Sequence, residues 1–165
     1  MPSKLVYLSL GSNLGDREKY LEDALELLEA HQVHIIARSS VYETEPQDVT
    51  DQPWFLNIVV ACEMRYFPVQ LLSLLQRVER ELGRARGASA LRRGPRTIDL
   101  DILLFGTSIV DTGKLRIPHP RMLERRFVLE PLIEIAPDLK FPPTNKPLKS
   151  YLPAVAGQKL RKRSS

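Results

Sequence analysis

Asp99 and Asp101 stand two positions apart in the run 97–105, which is otherwise β-branched and apolar. That composition predicts a strand. Side chains alternate across a strand, so both carboxylates project from one face, and Ile98, Leu100 and Ile102 from the other. Neighbouring carboxylates repel unless a positive charge lies between them. Magnesium, a hard cation held by one or two carboxylates plus substrate phosphates, fits that need. Arg92, Arg93 and Arg96 directly precede the run, and Arg84 and Arg86 lie just upstream. Carboxylates beside guanidinium groups are the parts that phosphoryl transfer requires. A solvated acid pair matched to cross-strand arginines is the structural alternative. The apolar remainder, which predicts a central strand, and the five arginines favour the chemical reading.

A second pair lies in the run 54–64. Phe55, Asn57, Val59 and Ala61 share one face, and Leu56, Ile58, Val60 and Cys62 form the opposite, core-facing set. A ring beside an amide suits a flat heterocycle, the ring stacking and the amide reading edge donors and acceptors. Pattern alone leaves this equal with a Phe covered by a helix and a polar strand-end Asn.

The elements that must place these residues are legible in order. Leu5 to Leu10 predicts a first strand, and Gly11 to Asp16 a turn. The turn lacks the Gly-Lys-Ser/Thr of a Walker loop, and Asp16 is a good N-cap for the next helix. Leu21, Ala24, Leu25 and Leu28 recur at helical spacing. Val33 to Tyr42 predicts a second strand, followed by a polar, proline-bounded loop over 43–53 with the character of a binding loop or lid. After the third strand, Pro68 opens a helix striped by Leu71, Leu75, Val78 and Leu82, with Gln76 and Glu79 on one side of it. A glycine-bearing basic loop spans 84–95. Beyond the Asp strand come an extended Leu115 to Arg121, an apolar helical stretch within 122–135 that Pro137 stops, and a proline-rich wrap ending in a frayed basic tail. The order β-α-β-β-α-β predicts an α+β, ferredoxin-like fold: an antiparallel sheet with two helices on one face and the other face free for Phe55, Asn57, Asp99 and Asp101.

A chain of 165 residues is read as one domain, with its core at about 4–142 and the wrap and tail at 143–165. The net charge of +4 and pI of about 9.3 suit an anionic partner. RNA is one such partner for this fold, but acids at the centre of the sheet face repel phosphate without a metal, and no RNP1-like aromatic run is present. The single cysteine, Cys62, allows no internal disulfide and reads as a small buried residue. No apolar stretch approaches the roughly 20 residues of a membrane span and no signal peptide is visible, so the expectation is a cytoplasmic protein that engages neither membrane nor nucleic acid.

The motifs Gly11-Ser12-Asn13-Leu14-Gly15-Asp16, Tyr42-Glu43-Thr44-Glu45-Pro46, Asp51-Gln52-Pro53-Trp54-Phe55-Leu56-Asn57, Gly94-Pro95-Arg96-Thr97-Ile98-Asp99-Leu100-Asp101, Pro118-His119-Pro120-Arg121 and Arg125-Arg126-Phe127 together closely resemble the 6-hydroxymethyl-7,8-dihydropterin pyrophosphokinases of folate biosynthesis. The resemblance runs in order from about residue 4 to about 142. It implies transfer of the β,γ-diphosphoryl group of ATP to the pterin hydroxymethyl oxygen by a monomer, releasing AMP. By position, Asp99 and Asp101 would hold two Mg²⁺ ions. Phe55 and Phe127 would sandwich the pterin, with Thr44, Pro46, Gln47 and Asn57 at its edge. Gln76, Glu79, Arg86, Arg92, Ile102, Lys114, Arg116, His119 and Arg125 match ATP contacts, and Arg84 and Arg96 match arginines of the chemical step and lid closure. The chain departs from the family pattern in having Arg93 for a common Trp, Pro120 for an occasional Tyr, and Arg116 for an occasional hydroxyl.

Overall fold

The computed structural model describes residues 2–45, 54–84 and 97–163, apart from the Arg84 side chain. In chain order the strands are β1 (Lys4–Ser12), β2 (His34–Arg38), β3 (Tyr42–Thr44), β4 (Phe55–Met64), β5 (Asp99–Phe105), β6 (Val110–Asp111), β7 (Arg116–Ile117), β8 (Lys140–Phe141), β9 (Lys146–Pro147) and β10 (Leu160–Lys162). Three α-helices, α1 (Arg17–Ala30), α2 (Pro68–Arg84) and α3 (Arg126–Ile135), and two 3₁₀ segments, Met122–Glu124 and Leu148–Val155, complete the chain. The main sheet has the order β10-β3-β4-β1-β5, with β2 also on β4, and every pairing is antiparallel.

One face carries α1 and α2. Asp16 caps α1 by accepting from the Lys19 amide at 3.2 Å. Leu21, Ala24, Leu25 and Leu28 of α1 and Leu71, Leu74, Leu75 and Val78 of α2 pack on Val6, Leu8, Leu10, Leu56, Ile58, Val60, Cys62, Leu100 and Ile102. Burial of one such aliphatic side chain stabilises by about 1.5–3 kcal/mol.

The opposite face is not free, which corrects the sequence expectation. Met122, Val128, Leu129, Leu132, Leu148 and Val155 cover Tyr7, Val59, Ala61, Leu103 and Leu104 in a second core. The C-terminal wrap thus builds a second layer, which hydrophobic patterning in β4 permitted but did not require. Toward one end of the strands this face carries Gly11, Phe55, Asn57, Asp99 and Asp101 instead, with Gly11 and Asn57 buried and Phe55, Asp99 and Asp101 partly exposed.

Four further corrections are local. The strand expected over 33–42 divides into β2 and β3. Ser39 replaces the ladder there, its hydroxyl accepting from the Val59 amide at 3.0 Å, while Glu134 of α3 takes the Ser40 amide at 3.0 Å and hydroxyl at 2.6 Å. Gly11 and Ser12 belong to β1 rather than to a turn, because both remain paired with β4. Among the described residues β5 pairs only with β1, so it is an edge and not a central strand. Its apolar composition follows from burial on both faces and from a covered edge, where Glu79 accepts from the Leu100 amide at 2.7 Å and the His119 amide donates to Leu103 at 3.0 Å. Finally, the tail does not fray at 160–162: β10 pairs with β3, and the Arg161 guanidinium lies 4.5 Å from the Trp54 ring centroid. Among the described residues no helix is long and apolar enough to cross a membrane.

Candidate functional site

Strand register assembles the site. Gly11 lies opposite Asn57 on one side and Asp99 on the other. Ser9, one row inward, lies between Val59 and Asp101. Residues paired across neighbouring strands share a face, so Asn57, Gly11, Asp99 and Asp101 form one floor, with Phe55 and Thr44 paired a row beyond Asn57. Successive strands are about 4.8 Å apart, so Asn57 and the acids are separated by roughly 10 Å, with Gly11 between them. A Cβ on Gly11 would sit 2.9 Å from Asn57 Oδ1 and 3.6 Å from Phe55 Cδ1. The position needs glycine for that close approach, not for an unusual φ. Asn57 is itself held: Nδ2 donates to Thr44 Oγ1 at 2.8 Å, and both residues are buried. Its carbonyl oxygen is thereby turned to the floor beside Gly11.

The acids are more open. The Asp101 side chain is 45% exposed, and the alternating burial of β5 puts Asp99 on the same face as Asp101. His119 approaches from the segment after β7. Its Nδ1 accepts from the Arg121 amide at 3.1 Å, which assigns the proton of a neutral ring to Nε2. Nε2 lies 3.9 Å from Asp101 Oδ1, beyond hydrogen-bond reach. Burial, reinforced by Arg125 and Arg121, pushes the His119 pKa down to about 4, so the ring is neutral near neutrality. Arg125 precedes α3 and lies over Phe127, 5.4 Å from the ring centroid. Its Nε is buried without a protein partner. Burial and Arg121 lower its pKa, while Asp101 and Asp99 act the other way. Phe127 and Thr44 border one cleft of about 250 Å³, which Glu45, Arg126, Gly157, Gln158 and Lys159 also line.

The expected residues therefore separate into groups. Thr44, Phe55, Asn57, Asp99, Asp101, His119, Arg125 and Phe127 meet on or around one open strand end. Glu79 lies beside them, with one oxygen committed to the β5 backbone. Gln76 is exposed on α2. Lys114 is exposed, and Arg116 is exposed and 3.4 Å from Asp111. The Ile102 side chain is buried in the helix-side core, which leaves its backbone as the part that could meet a nucleotide. Pro46, Gln47, Arg86, Arg92 and Arg96, the Arg84 side chain, and most of both expected lids lie outside the described residues. Gly11 is the floor residue that sequence pattern did not single out; the absence of a side chain carries no periodic signal. Ser12, whose buried hydroxyl has no protein partner, follows it in the strand.

The molecule is an α+β protein with an antiparallel sheet, and one end of its strands brings an acid pair and a ring-and-amide pair onto a common face. Residues 7–137 match the model of the family described as 7,8-dihydro-6-hydroxymethylpterin-pyrophosphokinase, HPPK. That span is most of the chain, and the chain belongs to this family, whose members catalyse pyrophosphoryl transfer in folate biosynthesis. The 2-amino-4-hydroxy-6-hydroxymethyldihydropteridine pyrophosphokinase of Bacillus subtilis is 49% identical over 134 residues, covering 81% of this chain and 78% of its own. The Folic acid synthesis protein fol1 of Pneumocystis carinii is 42% identical over 159 residues, covering 96% of this chain but only 21% of its own length, so this chain spans about a fifth of that relative. A crystal structure of an HPPK-DHPS protein in complex with substrates superposes with a TM-score of 0.73 at 16% identity, over 93% of this chain and 43% of the other. At that identity it speaks for the fold alone.

Proposed function

We propose that this protein transfers the diphosphoryl group of ATP to the hydroxymethyl oxygen of 6-hydroxymethyl-7,8-dihydropterin, forming the pterin diphosphate and AMP. The observation that carries this reading is the row Asn57, Gly11, Asp99. An amide and an acid pair on one floor suit a flat ring and a phosphate chain bound side by side.

The donor set fits magnesium. Among the described residues no group of three or more His, Cys, Asp or Glu could hold a metal ion, but magnesium needs only one or two carboxylates when phosphates complete its shell. Asp99 and Asp101 would hold two Mg²⁺, which when bound offset the triphosphate charge and the charge that develops during transfer. The protein's own groups do the rest. Phe55 and Phe127 sandwich the pterin. Asn57 Oδ1 accepts from its edge, with Thr44, Pro46 and Gln47 alongside. The neutral His119 presents Nε2–H and Arg125 its guanidinium to phosphate oxygens. Arg84 and Arg96 act in the chemical step, and Gln76, Glu79, Arg86, Arg92, Lys114, Arg116 and the Ile102 backbone contact the nucleotide. The hydroxymethyl oxygen attacks the β-phosphorus in line, the bond to the α,β-bridging oxygen breaks, AMP leaves, and the hydroxyl proton departs to solvent. No covalent intermediate on the protein is needed. Positioning in a water-poor cleft supplies most of the acceleration.

The same reading takes the sheet as ferredoxin-like, since β1 lies between β4 and β5 and the second strand region flanks β4. It takes the chain as one cytoplasmic domain acting as a monomer. The test is AMP release from ATP with Mg²⁺, with and without the dihydropterin. AMP formation that requires both pterin and metal is expected. Release of ADP, or AMP release indifferent to pterin, would overturn the assignment.

A further inference from the structure

The C-terminal segment holds the helix that carries Arg125 and Phe127, although it lies outside the 7–137 family match. A helix leaves its first amides without intrahelical partners, and Ser, Thr, Asp or Asn at the N-cap usually satisfies one of them. The N-cap of α3 is Arg125, which makes no side-chain cap. Gln158 supplies the missing partner from 32 residues away: its Oε1 accepts from the Arg126 amide at 2.8 Å. Its Nε2 donates to the Glu124 carbonyl at 2.7 Å. One side chain thus brackets Arg125 on both sides. Arg126 returns the contact, donating from Nη1 to the Gln158 carbonyl at 2.9 Å and to the Ala156 carbonyl at 3.3 Å. β10, directly downstream, is anchored on β3, where the Arg163 amide donates to Val41 at 2.8 Å.

From this geometry we propose that Gln158 is a positioning residue for pterin binding: it caps α3 in place of Arg125, leaving position 125 to a substrate-facing guanidinium and fixing Phe127 at the cleft it borders with Thr44. A tail that merely wrapped the fold would need the backbone pairing of β10 but not both ends of this one amide. The role rests on the functional reading above, but the cap can be tested without it.

Hydrogen–deuterium exchange is read first, in the wild type. The Arg126 amide, at a position that ordinarily exchanges quickly, is protected in the cap; rapid exchange there would overturn the proposal whether or not the protein turns over pterin. Gln158→Ala then accelerates exchange across 126–129 and raises the pterin Kd by about fivefold, the scale of one lost cap, with kcat changing less. Gln158→Glu keeps the acceptor for the Arg126 amide but loses the donor to the Glu124 carbonyl, so it recovers slow exchange at Arg126 and only part of the pterin affinity. A Gln158→Ala protein with lowered Tm but unaltered pterin Kd would mean a structural tie only, and would also overturn the proposal. Should Gln158→Ala fail to fold, Gln158→Lys keeps the stem while removing the acceptor, and the same comparisons are read from it. Failure of the wild type to form AMP would remove the pterin reading and leave the exchange result to decide the cap.

Discussion

The two faces of the sheet begin alike and end differently. On the helix side, Val6, Leu8 and Leu10 of β1 and Leu56, Ile58, Val60 and Cys62 of β4 are all at 0% exposure. On the other side, Tyr7 and Ala61 are buried under α3 and the 3₁₀ segment, and then the same two strands change to Ser9, Gly11 and Asn57. The cover stops there and polar groups take over. The floor of the site is therefore the polar continuation of a packed core, with Ser9 and Asn57 themselves buried and the Asp101 side chain 45% exposed. Its groups are held by backbone ladders and by a finished core beneath, which is how a strand-borne site reaches the positional precision that transfer needs. One face should govern stability and the other turnover, and the two can be separated.

Asp101→Ala should separate them most sharply. Removing one carboxylate of the pair is expected to lower pterin-dependent AMP formation by on the order of 10³-fold or more, the scale of a lost electrostatic stabiliser. Because Asp101 is 45% exposed and lies on the face of Asp99, the melting temperature should hold or rise slightly. Steady-state AMP assays beside thermal melts read both quantities; turnover within tenfold of wild type would remove the acid pair from the chemistry.

Leu8→Ala is the converse. Leu8 of β1 is fully buried beneath α1 and α2, and truncating such a residue costs about 2–5 kcal/mol. Denaturant unfolding should show that loss, while KM for pterin and ATP in the folded fraction stays near wild type. A changed KM with unchanged stability would mean that the two faces are not independent.

How much of this was legible beforehand depended on whether a signal was local. Alternation in β4 and in the first half of β5 placed Phe55, Asn57, Asp99 and Asp101 on their faces, because the period of a strand holds there, although β5 shifts register beyond Ile102. The helices α1 and α2 were legible from their stripes and from Asp16. What pattern could not supply were long-range partners. Nothing near Phe105 says that residues 122–155 return to bury Leu103 and Leu104. A buried strand at a covered edge has the composition of a central one, so β5 was misplaced. Basic residues at 159–163 look like a solvated tail until Glu43, Glu45 and Glu18 are brought opposite them. Glu79 reads as a surface acid until the Leu100 amide is placed against it.

His119 tests the comparison through pH. Its pKa in the folded protein is pushed to about 4 from 6.5, burial being the main cause. The unfolded chain therefore binds the extra proton first, and stability present above pH 6.5 is lost as pH falls from 6.5 towards 4. At 1.36 kcal/mol per unit of pKa the loss is roughly 1–3 kcal/mol. His119→Gln should flatten that part of the pH–stability curve relative to wild type, as followed by chemical denaturation at a series of pH values. Identical slopes in the two proteins would mean that the ring is not held neutral by burial.

Phe127→Ala probes the boundary between the faces, since Phe127 packs against the second core and also borders the cleft. It is half-buried, so its stability cost should fall below that of Leu8→Ala. Loss of one aromatic stack is worth about 1–3 kcal/mol, which predicts a weaker pterin Kd, measurable by quenching of pterin fluorescence, with KM for ATP less affected. Phe127→Leu separates two reasons for that loss. Leucine keeps apolar bulk against the core but presents no π face to the ring or to the Arg125 guanidinium, 5.4 Å from the present centroid. If stacking matters, Phe127→Leu recovers stability but not pterin affinity. If it recovers both, the residue is only a wall, and the second core extends into the cleft instead of ending at it.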